Sequence, residues 1–116
     1  MLNLTTALGR NGFQDWILQR ISALILAIYS SFILIFWLLH PVHDFTVWQI
    51  LFACAWMHYA TILAILALAI HAWIGVWTIL TDYIHNDWLR LILLVCVFCT
   101  LLFEVIWCGQ ILWGYY

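Results

Sequence analysis

The stretch ATILAILALAIHAWIGVWTILTDY, residues 60–83, decides how the chain folds. It is apolar enough to lie in a bilayer, yet it carries His71 in its middle and Asp82 and Tyr83 at its end. At about 100° per residue, Ala60, Ala64, Ala67, His71, Gly75, Thr78 and Asp82 fall on one narrow helix face. Their spacings of 4, 3, 4, 4, 3 and 4 are helical periodicity. Every member of the stripe is small or polar, while Leu66, Trp73, Trp77 and Leu80 lie elsewhere around the helix. Such a face admits close approach by a flat group or by another backbone.

The composition around this stretch excludes a soluble domain. Apolar residues make up 69% of the 116 and charged residues 7%, against about 25% charged in a typical soluble chain. The charges are Arg10, Arg20 and Arg90 with Asp15, Asp44, Asp82, Asp87 and Glu104, and there is no lysine. The expected fold is an all-α membrane protein in a single domain over residues 1–116. The net charge of -2 and the absence of any basic stripe argue against nucleic acid as a partner. The mixed, polar first sixteen residues and the long apolar run after them do not read as a cleaved signal, so the first span is expected to be retained.

Three transmembrane helices are predicted, at about 16–39, 47–80 and 88–113. Each exceeds the roughly 20 residues that cross a hydrocarbon core. The second is longer than one crossing requires, which implies tilt or projection at one end. Asn11 and Gln14 suit the start of the first helix, and Thr46 and Gln49 read as a capping box for the second. Pro41, within His40-Pro41-Val42-His43-Asp44, breaks the chain between them. Both connections are short, so neighbouring helices are antiparallel. Trp16, Trp48, Trp88 and Trp113 sit near span ends, as an aromatic belt requires. All three arginines lie on one side of this arrangement. The positive-inside rule therefore places the N-terminus and the Asp82 loop in the cytoplasm, or in a mitochondrial matrix, and the C-terminus opposite.

His71 carries the sharpest chemical signal, because an ionisable group near mid-membrane is costly. One reading makes it a ligand to haem iron, with Ala67 and Gly75 leaving room for a planar macrocycle. The other makes it a neutral imidazole bonding across a helix pair, with the small residues serving only close packing. As a haem ligand it needs a second axial ligand from outside this chain. The first and third spans hold no histidine, His40 and His43 lie in the opposite loop, and His58 is about 20 Å away along the same helix. No C-x-x-C-H motif is present, so such a haem is non-covalent.

Asp82 and Tyr83 lie about 16 and 18 Å along the axis from His71, at interface depth. A phenol beside a carboxylate suits a quinone, the hydroxyl donating to a carbonyl and the acid relaying protons. The alternative is a belt tyrosine beside a solvated helix-end aspartate. Arg20 either snorkels to the interface or meets an anionic partner there. Glu104, in the third span, reads as a proton-path residue or as a protonated acid bonded to a partner helix. Cys54, Cys96, Cys99 and Cys108 all sit in apolar runs. Cys96-x-x-Cys99 lacks the second pair a metal site needs, so these read as small buried helix residues.

Ala7-Leu8-Gly9-Arg10-Asn11-Gly12, then Asp15 and Arg20, then His71-Ala72-Trp73-Ile74-Gly75-Val76-Trp77 and Leu80-Thr81-Asp82-Tyr83 together resemble the smaller, haem b-binding hydrophobic membrane anchor subunit of bacterial succinate dehydrogenase (respiratory complex II). The resemblance covers nearly the whole chain in length, span number and motif order. It implies that His71 is one of two axial ligands of haem b, the other coming from a companion anchor subunit. It implies that Tyr83 reaches the ubiquinone carbonyl with Asp82 close by, and that Arg20 neighbours a haem propionate or the quinone site. It implies docking of the flavoprotein and iron–sulfur subunits on the cytoplasmic face of the inner membrane, with succinate oxidised on those partners. No role for Glu104, for the cysteines or for residues 40–57 follows from it. A fumarate reductase anchor and a haem-free structural or assembly protein are the competing readings.

Overall fold

The computed structural model describes residues 12–40 and 44–114. Its helices are α1 (Gly12–Leu39), α2 (Phe45–Ala53), α3 (Ala55–Tyr83) and α4 (Asp87–Gly114), and no strand occurs among the described residues. Three of them, α1, α3 and α4, are long and apolar enough to cross a membrane. The all-α, three-span architecture is thus the one observed. Arg10, Asn11, Pro41 and His43 lie outside the described residues, and with them the expected cap at Asn11 and the middle of the first connection.

The middle helix is α3, with α1 and α4 packed on it. Ser22 meets His71 and Tyr29 meets Thr61, so residue numbers fall on α3 as they rise on α1, and the two helices are antiparallel. Trp73 against Phe98 and His58 against Trp113, both edge to face, set α3 and α4 antiparallel in the same way. The start of α1 and the turn at 84–86 consequently share one end of the bundle.

The small residues of the opening stretch are used for packing. Ala64 and Ala67 are buried, beside Thr61 and Ile74. Lipid tails are as apolar as leucine, so membrane helices gain little by hiding apolar side chains, and close backbone approach through small residues takes over. Within the buried seam Tyr29 Oη lies 2.8 Å from Thr61 Oγ1, which satisfies two hydroxyls that lipid could not.

Where one helix was expected over 47–80, the structure has two. Cys54 adopts an extended conformation (φ -71°, ψ 135°), closing α2 and opening α3. Its N–H donates to the Leu51 carbonyl, and its own carbonyl accepts from the N–H groups of Met57 and His58. Its thiol also faces the Ile50 carbonyl at 3.6 Å. These bonds pair some of the backbone groups that two helix ends would otherwise leave open. The chain changes direction there, and both Leu51 and the fully buried Met57 enter the core. The cap of α2 also differs from the expected Thr46 and Gln49 box. Asp44 is the capping residue, its carboxylate accepting from the Thr46 N–H at 3.1 Å, where an anion also meets the positive end of the helix.

The second connection is only residues 84–86. Asn86 Oδ1 accepts from the N–H groups of Trp88 and Leu89 at 3.0 and 3.2 Å, capping α4. Arg90 bridges the turn, donating to the Ile84 carbonyl and pairing with Asp87 at 2.8 Å.

Candidate functional site

The site is built where the first half of α1 crosses the second half of α3. Asp15, Gln19 and Ser22 recur at spacings of 4 and 3, so they line one face of α1. Ser22 is buried, and the atoms Asp15 Oδ1 and Gln19 Oε1 are buried too. This polar line faces α3 at His71 and Gly75. Ser22 Oγ lies 3.1 Å from His71 Nδ1 and 3.1 Å from the Gln19 carbonyl, to which the hydroxyl donates. The Gln19 amide lies where a Cβ on Gly75 would meet its nitrogen at 3.6 Å.

His71 therefore does bond across a helix pair, as the packing reading of this residue required. The bond occupies Nδ1 alone. The imidazole is half-buried, and nothing else among the described residues engages Nε2. Part of the room that the small stripe was expected to leave for a planar group is used by this chain itself: Ala67 is buried in the bundle and Gln19 lies over Gly75. The edge of His71 that bears Nε2 is the one that α1 does not bond. Among the described residues there is no cluster of three His, Cys, Asp or Glu able to hold a metal ion. Of the described residues, His71 is the one whose half-buried imidazole, with Nε2 unengaged, would hold such a group.

Asp82 and Tyr83 stand apart from this crossing, about 16 and 18 Å further along α3 by helical rise. Both are exposed, Tyr83 at 76%, and neither side chain bonds to another described residue. Thr78, one turn before Asp82 on the stripe, spends its hydroxyl on the Ile74 carbonyl at 2.9 Å. Arg20 is also exposed, its guanidinium carbon 5.4 Å from the centre of the Trp16 ring. It precedes Ser22 by two residues, so its backbone is about 3 Å along the axis from the level of His71. By helical rise the Arg20 backbone is therefore nearer the level of His71 than that of Tyr83. Trp16 and Arg20 sit one turn apart on α1, and the guanidinium over the ring makes a cation–π contact.

Glu104 is exposed on α4, and its side chain bonds to no other described residue. Thr100 is satisfied within its own helix by the Cys96 carbonyl at 2.8 Å. Cys96 and Cys99 are exposed, whereas Cys54 and Cys108 are half-buried. The expectation that all four are buried helix residues is not met, since none is fully buried and Cys54 is the extended residue between α2 and α3. The first pair lies on the side of α4 turned away from α3, a choice that apolar flanks on every side do not reveal.

Composition and motif do not single out Ser22 or Gln19. The signal available was the run Asp15, Gln19, Ser22 and Tyr29, a polar line in helical register within an apolar span.

These features define a small three-span helical membrane protein with a histidine placed in mid-span at a helix crossing. The family described as succinate dehydrogenase/fumarate reductase transmembrane subunit matches residues 2–105, and the chain belongs to it. It is similar to the succinate dehydrogenase hydrophobic membrane anchor subunit of Coxiella burnetii, with 37% identity over 112 residues that cover 97% of each chain.

Proposed function

We propose that this chain is the membrane anchor subunit of a succinate:ubiquinone oxidoreductase in a bacterial inner membrane. Its N-terminus and the 84–86 turn lie on the cytoplasmic side and its C-terminus on the periplasmic side. It is a subunit outside the catalytic core, with succinate oxidation on a flavoprotein partner and electrons arriving through an iron–sulfur subunit. The name of its relative supports the succinate direction over the fumarate one.

The observation that carries a haem role is the half-buried, mid-span His71, held through Nδ1 with Nε2 unengaged. In this reading His71 holds one axial position of haem b, and a companion anchor subunit supplies the other. Bound there, the haem supplies one-electron exchange. Arg20, exposed near the same level, offers a cation to a carboxylate at the haem edge. Tyr83 donates a hydrogen bond to a ubiquinone carbonyl at the cytoplasmic interface, and Asp82 holds or passes the proton that reduction requires. The exposure of both side chains, with no hydrogen bond to the described chain, supports a role toward something outside it.

The test is purification of the tagged chain from its own membranes in mild detergent. The expected result is co-purification of a flavoprotein, an iron–sulfur protein and a second small membrane subunit, with succinate-dependent ubiquinone reduction. A chain that purifies without them, or with no succinate-dependent activity, refutes the reading. A reduced-minus-oxidised spectrum without haem bands favours a purely structural anchor.

A further inference from the structure

We propose that Ser22 is a positioning residue for His71, fixing the imidazole tautomer so that Nε2 is the atom presented for iron ligation; this rests on the reading of His71 as a haem ligand. A serine hydroxyl has one hydrogen and two lone pairs. Inside a helix that hydrogen commonly goes to a carbonyl three or four residues back, and here Ser22 Oγ donates to the Gln19 carbonyl at 3.1 Å. A carbonyl can only accept, so the one hydrogen is committed. What Ser22 turns toward His71 Nδ1, at 3.1 Å, is a lone pair. The partner must then bring the proton, and Nδ1–H donates to Ser22 Oγ.

A neutral imidazole carries a single N–H. With the proton on Nδ1, Nε2 keeps its lone pair, and only a lone pair can ligate a metal. The sequence Gln19 C=O, Ser22 O–H, His71 Nδ1–H is therefore a relay of orientation that starts from a fixed backbone carbonyl. Ser22 is buried, so water does not readily replace it. A hydrogen-bond acceptor on the distal nitrogen also raises the basicity of the ligating one. A more basic ligand favours the more highly charged, oxidised iron and so lowers the midpoint potential.

The experiment uses the complete purified complex with Ser22→Thr, Ser22→Val, Ser22→Ala and His71→Ala. Thr and Val match in volume and differ in the hydroxyl, which separates hydrogen bonding from packing. The readouts are the haem midpoint potential, the low-spin electron paramagnetic resonance signal and haem content per flavin. Ser22→Thr is expected to match the wild type. Ser22→Val and Ser22→Ala are expected to lose roughly 10- to 100-fold in haem affinity and to show a raised potential. A tenfold loss falling wholly on the oxidised form corresponds to about 59 mV. Wild-type potentials in Ser22→Val and Ser22→Ala overturn the proposal, as does a shift in Ser22→Thr equal to that in Ser22→Val. His71→Ala separates the two layers: if it keeps the wild-type low-spin signal, His71 is not the ligand. If it loses that signal while the Ser22 series stays flat, His71 ligates and Ser22 does not position it.

Discussion

Ser22 and His71 meet across the α1–α3 crossing with Oγ 3.1 Å from Nδ1. The contact joins two requirements of a membrane interior. A polar group there must be paired, and in the proposed haem role a ligand must also keep one lone pair free. One turn away, Gln19 lies over Gly75, so the same pair of helices sets both the spacing and the orientation of the histidine.

Gly75 is predicted to tolerate alanine and not leucine. An added Cβ would meet Gln19 Nε2 at 3.6 Å, an ordinary contact, and alanine removes a helix penalty of roughly 0.5–1 kcal/mol. Gly75→Ala should leave thermal stability of the complex equal or slightly raised. Gly75→Leu should push α1 away and lower both stability and haem content. A marked loss in Gly75→Ala would mean that the helices are closer than this geometry allows.

The Tyr29–Thr61 bond gives a stability prediction. Interhelical hydrogen bonds in membranes contribute about 0.6 kcal/mol on average and about 1.7 at most. A double-mutant cycle of Tyr29→Phe and Thr61→Val, read by unfolding in detergent micelles, should give a coupling in that range. Strictly additive single effects would show that the two hydroxyls do not pair.

Span number, helix direction and the place of His71 are legible in the sequence, because a run of apolar residues long enough to cross a bilayer has few other solutions. The break at Cys54 is not. No proline or glycine lies in residues 45–60, and the bend rests on tertiary burial of Leu51 and Met57. The exposure of Glu104 is equally hidden, since its flanking residues are apolar all round and give no preferred face. Ser22 illustrates a third case. Serine is a common packing residue in membrane helices, and only the register that places it opposite His71 gives it a role.

Tyr83→Phe and Asp82→Asn are predicted to slow quinone reduction more than they weaken quinone binding. A neutral hydrogen bond contributes roughly 0.5–1.5 kcal/mol net, and one to a charged acceptor roughly 1.5–3. The loss is therefore largest where the quinone oxygen gains negative charge, and it lowers turnover. Succinate-driven reduction of a soluble dye that accepts electrons upstream should be retained at equal haem content. Wild-type quinone reduction in both variants would return Asp82 and Tyr83 to the status of interface residues.

The two ends of the bundle are predicted to face opposite compartments. In a background with the native cysteines replaced, a membrane-impermeant thiol reagent added to intact cells should modify Thr46→Cys, beside the α1–α2 connection, and miss Asn86→Cys in the turn before α4. The reverse pattern inverts the topology and removes Tyr83 from the cytoplasmic interface.

The reduced-minus-oxidised optical spectrum of the purified complex carrying His71→Ala is the most direct measurement of all. Loss of the low-spin haem bands, through loss of the haem or a change to high spin, is the result expected if His71 supplies an axial ligand. A low-spin spectrum unchanged from the wild type, at full haem content, would contradict it.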